Sequence, residues 1–215
     1  FEALEANTTG GYNVALGEFA LEANTTGNKN TALGRNSLVN NTQGNDNVSI
    51  GAQSMLDNTT GSANVAIGVE ALDNNTTASW NVAIGYESLT QNTTGNQNVA
   101  VGRSALRDNS TASNNTAVGP QALLVNTTGA NNSALGYRAL KENTTASHNT
   151  AIGYESLTSN TTGTNNAALG AYALDANTTG GENVAVGNES LSGTTTGSSN
   201  TGVGYRALKA NITGS

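Results

Sequence analysis

The sequence predicts an all-β fold, a parallel β-solenoid of 17-residue coils, and three observations carry that reading. Asn13, Asn30, Asn47, Asn64, Asn81, Asn98, Asn115, Asn132, Asn149, Asn166, Asn183 and Asn200 stand 17 residues apart, with no insertion or deletion between them. A fixed period of about this length marks a stacked repeat architecture. Glycine and aliphatic residues recur at fixed offsets from each asparagine, and the charged residues keep to a few other offsets.

With each of these asparagines as column 1, the unit reads N-x-A-[ILV]-G-x-x-[AS]-L-x-x-N-T-T-G-x-x. Phe1 falls in column 6 and Ser215 in column 16, so residues 1–215 form one repeat domain of about twelve and a half coils. Phe1 opens in the middle of a unit, and the segment reads as part of a longer fibre.

Columns 2–4 begin the coil. Column 4 is Leu, Ile or Val in every copy, from Leu16 to Val203, and column 5 is Gly every time. Short extended segments are expected at columns 2–4, 7–9 and 12–14, with bends at the column 5 glycine, at columns 10–11 and at the column 15 glycine. A helix is excluded because Gly and Asn-Thr-Thr recur before any amphipathic run reaches about 12 residues. Stacked in register at ~4.8 Å, twelve coils span roughly 60 Å.

Alternation along a strand assigns the faces. With aliphatic column 4 pointing in, column 2 points in with it, and column 9 contributes Leu from the second segment, Met55 being the one exception. All the charged and aromatic residues fall in columns 6, 7, 10, 11 and 17, which are therefore expected to face water. Columns 3 and 8 then point outward, yet they hold only Ala, Ser or Gly. Two explanations stay open. Another chain packs closely there, making Ala66, Ala83, Ala100, Ala71, Ser88 and Ala105 an inter-chain face, or the cross-section is so narrow that both faces are internal.

The column 1 asparagines and those of column 12 read as stacked ladders, each amide bonding its equivalent one coil away. Column 12 also spells glycosylation sequons such as Asn7-Thr8-Thr9. A repeated bend asparagine explains that pattern without a sugar.

Asn64-Val65-Ala66-Ile67-Gly68 and Asn81-Val82-Ala83-Ile84-Gly85, each followed by Ala71 or Ser88, resemble the head repeats of YadA-type trimeric autotransporter adhesins. They are similar also to repeat regions of phage tail-fibre and bacterial surface-fibre proteins. The resemblance implies a left-handed β-roll, a homotrimer and adhesion to surfaces. The Leu-x-x-Asn-Thr-Thr-Gly half of the unit is an addition to the adhesin repeat.

Function classes follow from composition and from what the repeat lacks. Net charge is −7 and the basic residues are scattered, so nucleic acid is not an expected partner. No apolar run is long enough for a membrane span, and membrane insertion is not expected. Cysteine is absent, excluding a disulfide framework and thiolate metal sites. The acidic residues do not recur as calcium ligands, no phosphate loop or zinc motif is present, and His148 reads as a solvated surface residue. Near-copies of one coil offer no unique catalytic constellation, so neither an enzyme nor a cofactor is expected.

Tyr86, Tyr137, Tyr154, Tyr172 and Tyr205, interleaved with Glu and Arg, are candidate ligand-facing aromatics toward a host-surface glycan or protein. Otherwise they shield the glycine bend. The sequence-level expectation is a rigid extracellular, cell-surface or virion rod, homo-oligomeric as a trimer or filament, that spaces or displays binding surfaces. Two alternatives are a self-assembling extracellular filament subunit and an ice-binding solenoid that uses a Thr file of column 13 or 14.

Overall fold

The computed structural model describes residues 1–214. Each coil contributes one strand of three residues, from β1 (Val14–Leu16) through β5 (Val82–Ile84) and β6 (Val99–Val101) to β12 (Thr201–Val203). The twelve strands form a single parallel sheet in chain order. Register is fixed at one coil per step: Val82 pairs with Val99, Ala83 with Ala100 and Ile84 with Val101. The protein is therefore a β-solenoid with the 17-residue period of the sequence, and the described residues contain no helix. Strand spacing of ~4.8 Å makes the sheet roughly 50 Å long from β1 to β12.

Only columns 2–4 are strand, whereas three extended segments per coil were expected. Columns 6–11 turn instead, because columns 7 and 9 take left-handed backbone: Glu87 has φ 52° and Leu89 φ 52°. Each such residue carries a steric penalty of ~1–2 kcal/mol. The compensation is directional. Glu87 N–H donates back to Val69 O at 3.1 Å in the preceding coil, and Leu89 N–H donates forward to Ala105 O at 3.0 Å in the following one. Between them, Ser88 N–H closes a turn onto Gly85 O at 3.3 Å. Every coil is thus tied to both neighbours through a segment that is not a strand.

The column 5 glycine is obligatory for two reasons. At Gly85 φ is 131°, a region that L side chains rarely adopt, and an added Cβ would stand 2.7 Å from Gly102 O of the next coil. Neither the bend nor the coil spacing admits a side chain there.

The faces are the reverse of the expected assignment in columns 2–4. Column 3 points in and columns 2 and 4 point out: Ala83 is fully buried, while Val82 and Ile84 flank it on the solvent side. The interior is built from the column 9 leucines, the column 3 and column 8 small residues, and the column 1 and column 12 asparagines. Its narrowness explains the small side chains. A Cβ at Gly202, in column 3, would lie 2.8 Å from Ser190 Oγ and 3.0 Å from Leu191 Cγ, so columns 3, 8 and 9 meet across the core. Where column 3 is Ser49, its hydroxyl accepts from Ser37 Oγ and donates to Ser54 O, both at 2.8 Å, so the buried polar atom is satisfied.

Candidate functional site

Ala66, Ala83, Ala100, Ala71, Ser88 and Ala105 are all fully buried, so they form no inter-chain face. The narrow cross-section accounts for them, and Ser88 spends its hydroxyl on Gly85 O at 3.0 Å. The surface available to a partner is the opposite face of the same strands. There, column 2 presents Val, Thr, Ser or Ala and column 4 Leu, Ile or Val, side by side along the rod. Exposure reaches 36 % at Ile84, 48 % at Leu135 and 47 % at Leu169. No charged residue interrupts columns 2–4 in any coil.

The asparagines hold the coils together from inside. Asn58 Nδ2 donates to Asn41 Oδ1 at 2.8 Å, and Asn75 Nδ2 to Asn58 Oδ1 at 2.7 Å, a continuous amide ladder in column 12. The same amide reaches the column 15 carbonyl of its own coil, as Asn58 does to Gly61 O at 3.1 Å. In column 1 the connection is different: Asn64 Oδ1 accepts from the Asn81 backbone N–H at 2.9 Å, while Asn64 Nδ2 donates to Ala78 O at 2.9 Å. The series from Asn30 to Asn183 is buried throughout. Column 12 asparagines from Asn24 to Asn177 are buried as well, which closes those sequons to a glycan in the folded rod.

A third ladder was not foreseen. In column 16, Asn28 N–H donates to Asn45 Oδ1 at 2.8 Å, Asn45 N–H to Ser62 Oγ at 3.0 Å and Ser79 N–H to Asn96 Oδ1 at 2.7 Å. The bias of that column toward Asn and Ser was its signal. The two Thr files also separate. Column 13 hydroxyls donate to the next coil's carbonyl, as Thr76 does to Thr93 O at 3.1 Å, while column 14 residues such as Thr77 stand exposed.

The candidate aromatics divide into one cluster and two outliers. Tyr137 and Tyr154 stack with ring centroids 5.3 Å apart, and Tyr172 meets Tyr154 edge to face at 5.3 Å. The Arg138 guanidinium covers Tyr137 at 4.9 Å, and Arg206 does the same over Tyr205. Tyr86 and Tyr205 stand apart from the three-ring stack. Tyr86 is bonded to Glu87, which pushes its hydroxyl pKa up.

Beyond Tyr172 the surface opens into a groove of about 380 Å³ lined by Tyr172, Asp175, Glu189, Ser192 and Lys209. Hydrogen bonds from Arg206 and then Lys209 hold the Glu189 carboxyl down to about 2. Burial raises Asp175 above the ordinary carboxylate value. Its Oδ1 is buried and has no hydrogen-bond partner. A second groove of about 500 Å³ lies along Glu5, Ala6, Glu22, Ala23, Val39 and Asn40. At its edge the carboxylates of Glu2, Glu5 and Glu22 lie within 4.8 Å of one another, the one group among the described residues with the donors for a metal ion.

One further carboxyl is perturbed. Burial, then Asp57 and Glu70, push Asp73 up to about 6, and its Oδ1 is also without a partner. His148 is exposed, with Nε2 3.4 Å from Asn131 Nδ2. Comparisons with protein-family models, curated proteins and solved structures return no match.

Proposed function

We propose that this chain is a structural rod, a segment of an extracellular or virion fibre, that self-associates through the aliphatic face of its sheet and leaves the tyrosine-bearing turns free for display. The observation that carries the reading is the uncharged, aliphatic and Thr-lined face of columns 2 and 4, repeated without interruption through twelve coils. Two partly exposed side chains per coil over that length present on the order of 1,000 Å², above the ~300–600 Å² patch of an ordinary monomer. A stable interface needs about 800 Å² from each partner, so a second copy of the same flat ladder is a sufficient occupant. The uniform period favours like pairing with like, since both surfaces advance by the same step. The resemblance to adhesin heads adds a preference for three parallel chains.

The thin interior fits a scaffold better than a reactive site. Each inner coil buries one large aliphatic side chain, Leu or in one case Met55, worth ~1.5–3 kcal/mol, and small residues besides, so the rod depends on ladders shared between coils. Sedimentation equilibrium of the parent rod and of the triple variant Ile67→Glu, Ile84→Glu, Val101→Glu tests the proposal. The expected result is an oligomer for the parent, and a monomer with an unchanged β circular dichroism spectrum for the variant. A monomeric parent at 100 μM would overturn it.

A further inference from the structure

The groove beside Tyr172 combines features that the repeat does not require. It is built across three successive coils, from Tyr172 and Asp175 in one, Glu189 and Ser192 in the next, and Lys209 in the third. Tyr172 is backed by Tyr154 and Tyr137, a row of rings at 5.3 Å steps, and Arg138 caps the far end. The stack thus has Arg138 at one end and Tyr172 bordering the groove at the other. Polar residues line the same space: Asp175, Ser192, and Glu189 with its carboxylate held by Arg206 and Lys209.

We propose that this groove binds a neutral pyranose, with a C–H face of the sugar laid against Tyr172 and its hydroxyls donated to Asp175 and Glu189. Aromatic walls take the apolar face of a sugar, and carboxylates lining a groove accept hydrogen bonds from its hydroxyls. The volume, about 380 Å³, lies within the range of small-molecule clefts and suits one sugar ring with its hydrating water. Charge selects against acidic sugars. Asp175 already feels Glu189 and Glu155, and the nearby cations Arg206 and Lys209 are engaged by Glu189. The site is separate from the aliphatic strand face, so it stands or falls independently of self-association.

Variants can be chosen that the fold already tolerates in the same column. Asn36, Gln53 and Gln121 occupy the place of Tyr172, Ser192 that of Asp175, and Ala171 that of Tyr86. Saturation-transfer NMR with methyl β-glucoside, methyl β-galactoside and methyl β-glucuronide is the test. The expected result is transfer from the parent to at least one neutral glycoside, strongest at the protons of one ring face, and none to the glucuronide. Tyr172→Asn and Tyr172→Gln should weaken binding at least tenfold, Asp175→Ser several-fold, and Tyr86→Ala not at all. No transfer at 20 mM neutral glycoside, retention of binding in both Tyr172 variants, or a preference for the glucuronide would each overturn the proposal.

Discussion

Ile84 and Leu89 lie five residues apart in one coil, and both belong to columns that are aliphatic in every copy. Ile84 is 36 % exposed on the outer face of the sheet, and Leu89 is completely buried. The difference comes from the bend between them. Gly85 reverses the chain with a φ open to glycine, and the left-handed turn that follows carries Leu89 back over the inner face, where Ala83 waits. A solenoid this thin has room for one large side chain per coil. The second aliphatic column is left outside, and the rod that results carries aliphatic side chains both in its interior and along one outer face. Hydrophobicity repeated in every coil therefore marks either the core or one continuous outer face.

The largest effect expected from this comparison is at Leu89. Leu89→Ala should leave a cavity and destabilise the rod by about 2–5 kcal/mol, while Ile84→Ala in the dissociated rod should change stability by under ~1 kcal/mol. Thermal melts of the two variants read the difference, and equal losses would mean that both columns are interior.

A smaller effect is expected in the polar interior. Asn75→Ala removes the amide that donates to Asn58 Oδ1 and Ala78 O; Ala78 O keeps the Asn64 amide, but the buried Asn58 Oδ1 is left unpaired, at a loss of about 1–3 kcal/mol. Asn74→Ala, one residue away, removes only an exposed bond to Gln91 and should change the melt by under ~0.5 kcal/mol. Urea unfolding of the pair separates ladder from surface.

The smallest effect is a pH dependence. Asp73 has a folded pKa of about 6 against an ordinary value of 3.8, so the folded state holds its proton more tightly than the unfolded chain. Its contribution to stability is complete below pH 4 and is lost as pH rises through 6. Asp73→Asn should therefore stabilise the rod at pH 7.5 and flatten this part of the pH profile. Because the group is half exposed, the gain is at most roughly 1 kcal/mol. Melts at pH 4.5 and 7.5 check it; a variant less stable than the parent at pH 7.5 would contradict the assignment.

Much of this architecture was legible in the residues. The spacing of Asn13 to Asn200 gives the coil length and the register. The invariant Gly of column 5 gives the bend, and the Asn-Thr-Thr-Gly run gives ladders that the structure realises with backbone partners as well as amides. The faces were not legible, because a strict alternation has two solutions related by a one-residue shift. The aliphatic set was placed inside by its hydropathy. The restriction of Ala66, Ala83 and Ala100 to small size carried the opposite message, since free outward positions do not exclude Lys or Glu. The turn at columns 7–9 was hidden for another reason: Leu in left-handed backbone contradicts local preference and is imposed by hydrogen bonds to both adjacent coils. The groove at Tyr172 depends on three coils whose residues differ from the consensus, and no period reveals which differences will meet. Of the five candidate tyrosines, the structure brings together Tyr137, Tyr154 and Tyr172 only.

The assignment of faces is tested most directly by one charge moved across one peptide bond. Ala83→Lys and Ile84→Lys differ only in which side of β5 carries the ammonium, and circular dichroism with a thermal melt reads each. Ala83→Lys should force an unpaired charge into the closed core and abolish the cooperative β transition, a penalty of several kcal/mol. Ile84→Lys should keep the β spectrum and, in the dissociated rod, melt within a few degrees of the parent. An Ile84→Lys variant that fails to fold while Ala83→Lys folds would contradict the account.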